Sequence, residues 1–457
     1  MSIATTPRIE AFAGRVLTAA DPGYDAARAV FNGAIDRRPA LIAQATDAAD
    51  VAAALRHGRE HDLPIAVRAG GHSGAGHSVN DDGLVIDVRA LKRVEVDLAA
   101  RTVRAGAGLT WAELDAATQA HGLAVTGGRV SHTGVAGLTL GSGSGWLERR
   151  HGLTADSLLG ATVVTAEGDR VHATPHDHAD LLWGLKGGGG NFGIVTEFEF
   201  ALHQVGPAVL GGPLVFETDR AAEVLAAYRD VMAAAPDDLG GAAVLQLAPP
   251  APFVPAHLAG TAVLMLVVAA FGDLERAERL VAPLRALRPA ADAVAPLPYC
   301  ALQQMSDAGN PFGRRNLWRA GMLDVLPDAA VTAAAEIAAD VPSPHTAVLI
   351  QPLGGAYARV DEDATALSHR DAAWVVHVLS MWDDPQDTPA NEAWTARFMA
   401  AVAPYGRGRI HPNYVSEDAG ARVRAFYGAR TYERLVAVKD RWDPANVFAG
   451  NQNIRPS

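Results

Sequence analysis

The sequence predicts an α+β protein made of two units, and three features of the chain lead to this fold class. Short β-rich runs alternate with helical patterns over the first 200 residues. Glycine and proline then cluster at 206–213, which is typical of a boundary between units. Beyond this cluster, apolar strands again alternate with helical patterns. The 457 residues allow two or three domains of ordinary size.

The first unit carries start and stop signals for its helices and turns. Thr110 and Glu113 form a capping box at the start of a helix that Gly122 ends. Asp177 is expected to cap a short helix, and 167–169 form a turn between two strands. The predicted helices are 46–61, 110–121 and 177–185, and the predicted strands are 63–67, 84–88, 93–97, 102–105, 161–166, 170–173 and 193–200.

The second unit shows the same two periodicities, and a helical tail follows it. Apolar runs of strand length separate helices with one apolar face. The predicted helices are 219–235, 273–287, 327–339 and 388–402, the predicted strands are 242–247, 261–271, 347–352 and 374–381, and the tail is expected to be helical at 418–427 and 431–442.

Composition and charge exclude several classes of protein. Hydrophobic residues make up 49% of the chain, which excludes wholesale disorder, and the net charge of −12 argues against nucleic acid and anionic membranes as partners. The one cysteine, Cys300, excludes an internal disulfide framework and thiolate metal sites. The longest apolar run, 258–272, is too short to span a bilayer, and 1–12 lack the apolar core of a secretory signal. A cytoplasmic location is therefore expected.

Three glycine-rich segments point to one large ligand. The segment 68–78 follows an apolar strand, and its glycines allow successive backbone N–H groups to face one anion. Arg68, Ser73 and Ser78 add a charge and two hydroxyls, so this segment is predicted to cradle a pyrophosphate. The segment 126–145 is neither a Rossmann fingerprint nor a P-loop, and a third glycine cluster lies at 187–193.

These segments resemble a known family. The strings RAGGHSGAGHS, GLTLGSGSGWLERRHGLTADSL and LLWGLKGGGGNFGIVTEFEF are similar to the PCMH-type FAD-binding domain of the vanillyl-alcohol-oxidase superfamily. The tail YERLVAVKDRWDPANVFAGNQNI resembles that of the berberine-bridge-enzyme-like branch, to which bacterial 6-hydroxy-nicotine oxidases are related. The resemblance implies a PCMH-type domain of two α/β subdomains at 1–206 (core 37–206). It further implies an α+β substrate domain at 207–413, with an antiparallel sheet flanked by helices, and a segment at 414–457 that returns to the first domain.

The resemblance also implies FAD and the way it is held. His72 matches the histidine that forms an 8α-histidyl bond to the flavin. Val130 stands where many members have a second attachment, a cysteine, so one covalent bond and no cysteinyl link are expected. The implied FAD contacts are Arg68, Gly70, Gly71, His72, Ser73, Gly74, Gly76, His77, Ser78, Gly128, Val130, Ser131, His132, Gly134, Gly137, Leu140, Gly141, Gly145, Trp146, Gly193, Val195, Asn451 and Asn453.

The candidate base lies just before the tail, in the sequence 410–414. Members of the family often carry Tyr-x-Asn here, and His411 takes the place of that tyrosine beside Asn413. Two alternatives follow: His411 is the base, or Tyr414 reaches the substrate. Histidine suits neutral pH better than an ordinary tyrosine does.

The substrate side of the site is expected in the second unit. Gln304 and Trp318 lie in one polar segment, together with Asn316 and Arg319. Trp374 and Trp382, with His377 between them, are eight residues apart and therefore share one face of a strand. That face either binds a flat substrate or belongs to the core of a sheet. The histidines at 172, 176 and 178 are not expected to bind a metal, because they sit at a turn into a helix.

The leading functional prediction is an FAD-dependent oxidase of a small alcohol, sugar or amine, with O₂ as electron acceptor and H₂O₂ as product. Two alternatives stay open: a flavin dehydrogenase with another acceptor, and a flavoprotein that binds or sequesters a compound without turnover. The expected partners are a small-molecule substrate and O₂, with no nucleic acid and no membrane. The protein is expected to be a monomer or a dimer.

Overall fold

The N-terminal unit is built on two main sheets. The structure is a computed structural model that describes residues 8–367, 369–406, 408, 411–416, 420 and 423–457. The strands of this unit are β1 Arg15–Leu17, β2 Leu41–Gln44, β3 Ile65–Arg68, β4 Leu84–Asp87, β5 Val94–Asp97, β6 Thr102–Gly106, β7 Leu123–Ala124, β8 Leu158–Val164, β9 Arg170–Ala173, β10 Ile194–Ala201 and β11 His203–Gln204. The helices are α1 Tyr24–Arg28, α2 Ala48–Glu60, α3 Trp111–Gln119, α4 Val135–Leu140, α5 Glu148–His151 and α6 Ala179–Leu185.

The first of these sheets is largely parallel and directs one glycine segment. Its order is β1-β2-β4-β3, in which β2, β4 and β3 run parallel and β1 is antiparallel to β2. Nearly every residue of β2, β3 and β4 is buried, as expected of parallel strands covered on both faces. The segment 68–78 leaves the carboxyl end of β3, the edge at which α/β sheets commonly bind ligands.

The second sheet is antiparallel, with the order β5-β6-β10-β8-β9. The predicted hairpins β5–β6 and β8–β9 are both present, and Thr110 and Glu113 form the predicted capping box at the start of α3. One local prediction is wrong. The short helix α6 begins after His178, whose φ of 55° makes the turn, and no side chain caps it, so Asp177 is not the cap.

The second unit is one large antiparallel sheet with its long helices on one face. Its order is β15-β12-β14-β13-β18-β19-β17, and β16 also pairs with β12. The strands are β12 Ala208–Glu217, β13 Leu239–Leu247, β14 Ala262–Ala270, β15 Ala291–Asp292, β16 Ala295–Pro298, β17 Arg315–Leu323, β18 Ala347–Pro352 and β19 Trp374–Trp382. The helices are α7 Ala221–Ala234, α8 Leu274–Arg285, α9 Tyr299–Gln304, α10 Asp328–Ala338, α11 Ala356–Arg359 and α12 Thr388–Val402.

Alternate residues of β19 show which face of this sheet carries the helices. Trp374, Val376 and Val378 join a core cluster with residues of α7, α8, α10 and α12. The odd-numbered His377 and Met381 point to the opposite side, toward the N-terminal unit. The predicted α+β class, with an antiparallel sheet flanked by helices, is therefore confirmed.

Two long strands of the second unit, β12 and β17, were not predicted, and neither were the short strands β15 and β16. The glycine and proline cluster interpreted as a boundary runs into β12, which contains Gly211, Gly212 and Pro213. A Cβ at Gly212, whose φ is 138°, would come within 3.0 Å of Val294 Cα. The backbone beside β12 therefore leaves room only for glycine at this position. The other missed long strand is β17, which was interpreted only as a polar segment.

The C-terminal segment returns to the N-terminal unit. Its helices are α13 Val423–Tyr427 and α14 Ala429–Trp442. Tyr427, Leu435 and Val438 join the core cluster of the N-terminal unit. This packing favours the predicted division into 1–206, 207–413 and 414–457. The predicted helix start at 418 and most of the N-terminal segment 1–12 lie outside the described residues. Within the described part of the chain, no helix combines the length and hydropathy needed to cross a membrane.

Candidate active site

One cavity runs between the glycine segments and the face of the large sheet that lies opposite to α7, α8, α10 and α12. Its volume is about 1220 Å³, and it is lined from the N-terminal unit, the second unit and the C-terminal segment. The predicted residues that line it are Gly70, Gly71, His72, Ser73, Gly74, His77, Ser78, Gly128, Val130, Gly134, Gly137, Leu140, Gly141, Trp146, Gly193, Val195, Trp318, Asn413, Tyr414 and Asn451. The topology therefore brings together residues that lie up to 381 positions apart.

Two glycine segments touch where they enter the cavity. A Cβ at Gly70 would lie 2.7 Å from the Cα of Gly134, and a Cβ at Gly134 would lie 2.8 Å from the Cα of Gly70. Such contacts are impossible for any other residue type at these two positions. The close approach allows the backbones of 68–78 and 126–145 to form one continuous wall.

His72 lies in this wall among aromatic rings. Its ring stacks on Phe31 with a centroid distance of 4.3 Å, and Phe312 packs edge-on at 5.2 Å. Its Nε2 is 2.8 Å from Nδ1 of His132. Burial, with a smaller contribution from His132, lowers the pKa of His72 to about 3. The imidazole is therefore neutral at pH 7, and its nitrogen lone pair is available.

Arg68 does not extend toward the cavity, contrary to the sequence prediction. Its guanidinium donates to the backbone carbonyls of Ala27 and Ala29, the second at 2.5 Å. Ala27 lies in the last turn of α1 and Ala29 directly follows this helix, where backbone carbonyls lack helical partners. Arg68 therefore fastens the residues that carry Phe31, and it does not supply charge to the predicted cradle.

The third glycine cluster is tied to the C-terminal segment. Asn191 donates to the carbonyls of Gly188 at 2.8 Å and Gln452 at 3.1 Å, and it accepts from the N–H of Ile454 at 3.0 Å. Lys439 donates to the carbonyl of Asn191 at 2.9 Å and forms an ion pair with Asp443 at 2.6 Å. Neither Lys439 nor Asp443 exposes its side chain, so this anchor is fully buried.

The polar atoms of the N-terminal side of the cavity suit a large polar cofactor. Ser78 Oγ and Asn451 Oδ1 are buried without a hydrogen-bond partner among the described residues. Buried polar groups are nearly always paired, so a ligand is needed to complete these two. Together with the glycine walls, they fit a molecule that carries both a phosphate chain and a flat ring system.

Tyr414 and Asn413 form the part of the wall between the two units. Asn413 donates to the carbonyl of Leu138 at 2.9 Å and fills the space beside Gly141. The hydroxyl of Tyr414 forms hydrogen bonds with Ser144 and Arg129. Burial and the nearby charge of Glu148 raise the pKa of Tyr414 to about 12.

An ion pair that the sequence did not reveal lies behind Tyr414. Arg129 donates to Glu148 at 2.9 Å and to Ser144 Oγ at 2.9 Å, and Ser144 in turn donates to Glu148. The guanidinium also lies over the ring of Trp146, 4.9 Å from the centroid. Arg129 and Glu148 are 19 positions apart, on a glycine segment and on α5, and no local spacing signal joins them.

His411 lies behind Tyr414 and does not line the cavity. Its ring centroid is 5.3 Å from that of Tyr414, and the residue is 3% exposed. Burial and the neighbouring Arg370 and His369 lower the pKa of His411 to about 3. Of the two alternatives for the base, the geometry therefore favours Tyr414.

The predicted substrate residues divide between cavity and core. Trp318 lines the cavity, and so does His377, whose ring centroid is 4.6 Å from that of Tyr414. Trp374 and Trp382 share one face of β19, but it is the helix-covered face, and Trp382 donates to Thr388 of α12 at 3.1 Å. The prediction that they bind substrate is therefore wrong, and the alternative of a sheet core holds.

Several other predicted contacts also lie outside the cavity lining. Ser131 is bonded to Asp307, by its N–H at 2.8 Å and its hydroxyl at 2.6 Å, and Gln304 is exposed at the end of α9. Those absent from the lining are Arg68, Gly76, Ser131, His132, Gly145, Gln304, Asn453, Trp374, Trp382 and His411. His132 still acts on the site through its contact with His72.

Comparison with known proteins decides the family. The FAD binding domain family matches residues 39–174, and the family described as berberine and berberine like matches residues 412–455. The (R)-6-hydroxynicotine oxidase of Paenarthrobacter nicotinovorans is 31% identical over 462 residues, which cover 97% of each chain. The chain belongs to the berberine-bridge-like family of FAD-linked oxidoreductases.

Solved structures and partial relatives support this assignment. The crystal structure of 6-hydroxy-D-nicotine oxidase from Arthrobacter nicotinovorans has a TM-score of 0.86 at 29% identity and covers 98% of each chain. The glucooligosaccharide oxidase of Sarocladium strictum is 39% identical over 181 residues, covering 39% of this chain and 36% of that protein. The predictions of FAD as cofactor and of an FAD-dependent oxidoreductase are confirmed. The berberine-bridge-like relatives thus include oxidases named for very different substrates.

Proposed function

We propose that this berberine-bridge-like enzyme is an oxidase that takes a hydride from a small organic molecule at a C–H bond next to oxygen or nitrogen. The observation that carries the proposal is the single cavity, which joins the three glycine segments to the substrate side with Tyr414 between them. When bound, FAD supplies the hydride acceptor and passes the electrons to O₂, which gives H₂O₂.

The glycine walls are proposed to hold the cofactor. Backbone N–H groups of 70–78 and the hydroxyl of Ser78 would contact the pyrophosphate. The side-chain oxygen of Asn451, which lacks a partner among the described residues, would contact the flavin ring. The buried anchor of Lys439, Asp443 and Asn191 supports this role, because it fixes the tail against the third glycine cluster.

His72 is proposed to form the one covalent bond to the flavin 8α-methyl. Two observations support this role: the ring is neutral, and His132 contacts one of its nitrogens. Val130 lines the cavity without a nucleophile, and the free thiol of Cys300 lies on α9 of the second unit.

Mass spectrometry of the digested holoenzyme tests the linkage. Trypsin releases residues 69–89 as one peptide, which contains both His72 and His77. Its mass should increase by one FAD, and fragmentation should place the flavin on His72. His72→Ala should retain FAD only until denaturation, whereas His77→Ala should keep it attached. Flavin released from the wild type by acid would contradict the linkage.

Tyr414 is proposed to accept the substrate proton without forming a free tyrosinate. Its hydroxyl contacts Ser144, and Ser144 donates to the carboxylate of Glu148. A proton that leaves the substrate can therefore pass through Tyr414 and Ser144 to Glu148. Arg129 keeps this carboxylate in place and compensates its charge.

Anaerobic flavin reduction tests the assignment of the base. Positioned acid–base groups contribute about 10²–10⁴-fold to rate, so Tyr414→Phe should slow reduction by that range. Ser144→Ala should slow it by a smaller factor, because one link of the path is lost. His411→Asn should leave the rate near that of the wild type. The reverse ranking of Tyr414→Phe and His411→Asn would assign the base to His411.

Reoxidation separates the proposal from its alternatives. An oxidase that has been reduced by substrate should recover its flavin absorbance within seconds in air and release one H₂O₂ per turnover. Slow reoxidation in air, with fast reoxidation by an artificial acceptor, would indicate a dehydrogenase. A ligand that binds and is never oxidised would indicate a sequestering protein.

A further inference from the structure

The substrate side of the cavity is a mostly apolar wall. It is formed by the face of the large sheet that lies opposite to α7, α8, α10 and α12, on β13, β14, β18 and β19. Its side chains are mainly aliphatic or methionine, as shown by Val244, Met265, Val267, Leu349, Leu379 and Met381. A ligand in contact with this wall gains free energy by burying apolar surface.

Two buried polar atoms interrupt this wall and a third faces it from the N-terminal unit, and none of the three has a partner among the described residues. They are Oε1 of Gln351, Nε2 of His377 and Nε1 of Trp146, on residues that are 1%, 6% and 4% exposed. A buried polar atom that lacks a hydrogen-bond partner destabilises the protein, because it has lost its hydration. Gln351 offers an acceptor, Trp146 a donor, and the neutral His377 one or the other, depending on its tautomer. A ligand with two or three hydrogen-bonding atoms would satisfy them.

The charges around the cavity disfavour a cation. Among the described residues that line it there is no Asp, Glu or Lys, and the two charged side chains are Arg129 and Arg314. Glu148, the buried carboxylate nearest to Tyr414 in the hydrogen-bond path, is already bonded to Arg129 and Ser144. An ammonium group that entered here would lose its hydration and find an arginine in place of a counter-ion.

The same lining disfavours an oligosaccharide. A sugar ring presents several hydroxyls, and each must exchange a water for a protein partner when it is buried. The polar side chains of the wall are Gln246, Gln351 and His377, and its other lining side chains are apolar, so most hydroxyls of a sugar would find no partner there. Charge and hydrogen-bonding capacity therefore point away from both substrate types for which the relatives are named.

We infer that the substrate is an uncharged alcohol whose carbon skeleton is largely apolar, held by Gln351, His377 and Trp146. The inference rests on the proposed oxidase function and names the substrate class of that same site. The carbinol C–H gives up a hydride, the hydroxyl proton passes to Tyr414, and the C–O bond becomes a carbonyl. O₂ takes up the two electrons and two protons as H₂O₂.

Three probes of defined chemistry test the inference on the holoenzyme at pH 7. Cinnamyl alcohol is neutral, cinnamylamine has the same shape with a cationic ammonium group, and cellobiose is a sugar. Binding is measured by perturbation of the flavin absorbance, and oxidation by anaerobic flavin bleaching. Cinnamyl alcohol should bind at least tenfold more tightly than either of the others. The inference is overturned if the amine or the sugar binds as tightly as the alcohol, or if the alcohol does not bind.

A variant that adds one negative charge to the wall sharpens the test. Gln351→Glu keeps the shape of the side chain and places a carboxylate on the apolar wall, so it should raise the affinity for cinnamylamine at least tenfold and lower that for cinnamyl alcohol. Gln386→Glu is the matched control, because Gln386 is exposed beside α12, and it should change neither affinity. An unchanged amine affinity in Gln351→Glu would remove Gln351 from the substrate site.

The two readouts separate this inference from the proposed function. Preferred binding of the alcohol, with no bleaching by any probe, would support the substrate class and count against the oxidase. Bleaching by the amine or the sugar in preference to the alcohol would support the oxidase and overturn the substrate class.

Discussion

The buried ion pair of Lys439 and Asp443 allows a sharp test of how the C-terminal segment is held. Asp443 accepts from Lys439 Nζ at 2.6 Å, from the N–H of Val447 at 2.7 Å and from the N–H of Phe448 at 2.9 Å. Both charged side chains are 0% exposed. Asp443→Asn would therefore leave an ammonium group buried without its counter-ion.

The expected cost follows from these contacts. Breaking one partner of a buried pair costs about 3–5 kcal/mol, because the remaining charge is uncompensated. Proteins are stable by only about 5–15 kcal/mol, so the variant should lose a large part of its free energy of unfolding. The carbonyl of Asn191 also accepts from Lys439, so the third glycine cluster should loosen as well.

Denaturant unfolding measures this loss, and flavin fluorescence reports whether the cofactor becomes exposed. Glu433→Gln is the control: its partner Arg424 lies 2.9 Å away, and both side chains are more than half exposed. That pair should be worth less than about 1 kcal/mol. Replacing both partners, as Lys439→Met with Asp443→Asn, should recover part of the loss. A single variant that loses less than 1 kcal/mol, or a double variant less stable than the single one, would refute the reasoning.

Three further predictions concern the glycine wall, acid stability and the proton path. Gly134→Ala should lower both thermal stability and FAD content, because its Cβ would collide with Gly70, whereas Gly137→Ala, which has open space around it, should lower only FAD content; thermal unfolding of apo and loaded protein checks this. His151 has its pKa lowered to about 3 by burial and by His203, so its neutral form stabilises the fold above about pH 6.5, and this contribution is lost as the pH falls toward 3. His151→Asn should reduce the loss of unfolding free energy between pH 6.5 and 4 by at most about 1.4 kcal/mol per pH unit, and an equal slope in both proteins would be evidence against this. Finally, the rate of flavin reduction should be nearly independent of pH between 7 and 10 if Tyr414 relays the proton, whereas a tenfold rise per pH unit would indicate a tyrosinate.

Hydrophobic periodicity and proline positions predicted much of the second unit. Helix α12 and strand β18 have the predicted bounds, because Pro389 marks the start of α12 and Pro352 marks the end of β18. Strand β17 was missed because its two ends meet unlike surroundings. At one end, the backbone N–H and carbonyl of Asn316 bond to the side-chain amide of Asn32, whereas at the other end Leu323 joins the helix-covered core, so no simple alternation results.

The cofactor side of the site was more predictable than the substrate side. Glycines that allow close backbone contact occur in runs, so the sequence displays them directly. The faces of β19 show the limit: the spacing of Trp374 and Trp382 correctly places them on one face, but only tertiary packing decides which face meets the cavity. Arg68 shows the same limit for charge, because its partners are backbone carbonyls that no sequence pattern reveals.

The environment of Tyr414 links the choice of base to the kind of substrate. A tyrosine with a pKa of about 12 is ionised in about one molecule in 10⁵ at pH 7, so a mechanism that required a tyrosinate would add about 7 kcal/mol to the barrier. The path through Ser144 to Glu148 avoids this cost, because the proton moves along existing hydrogen bonds. It also commits the one carboxylate beside the path to proton transfer and to Arg129, so none is left among the described lining residues to bind a cation. In the proposed mechanism, the hydrogen-bond path that lets a buried tyrosine pass on a proton therefore also favours a neutral substrate.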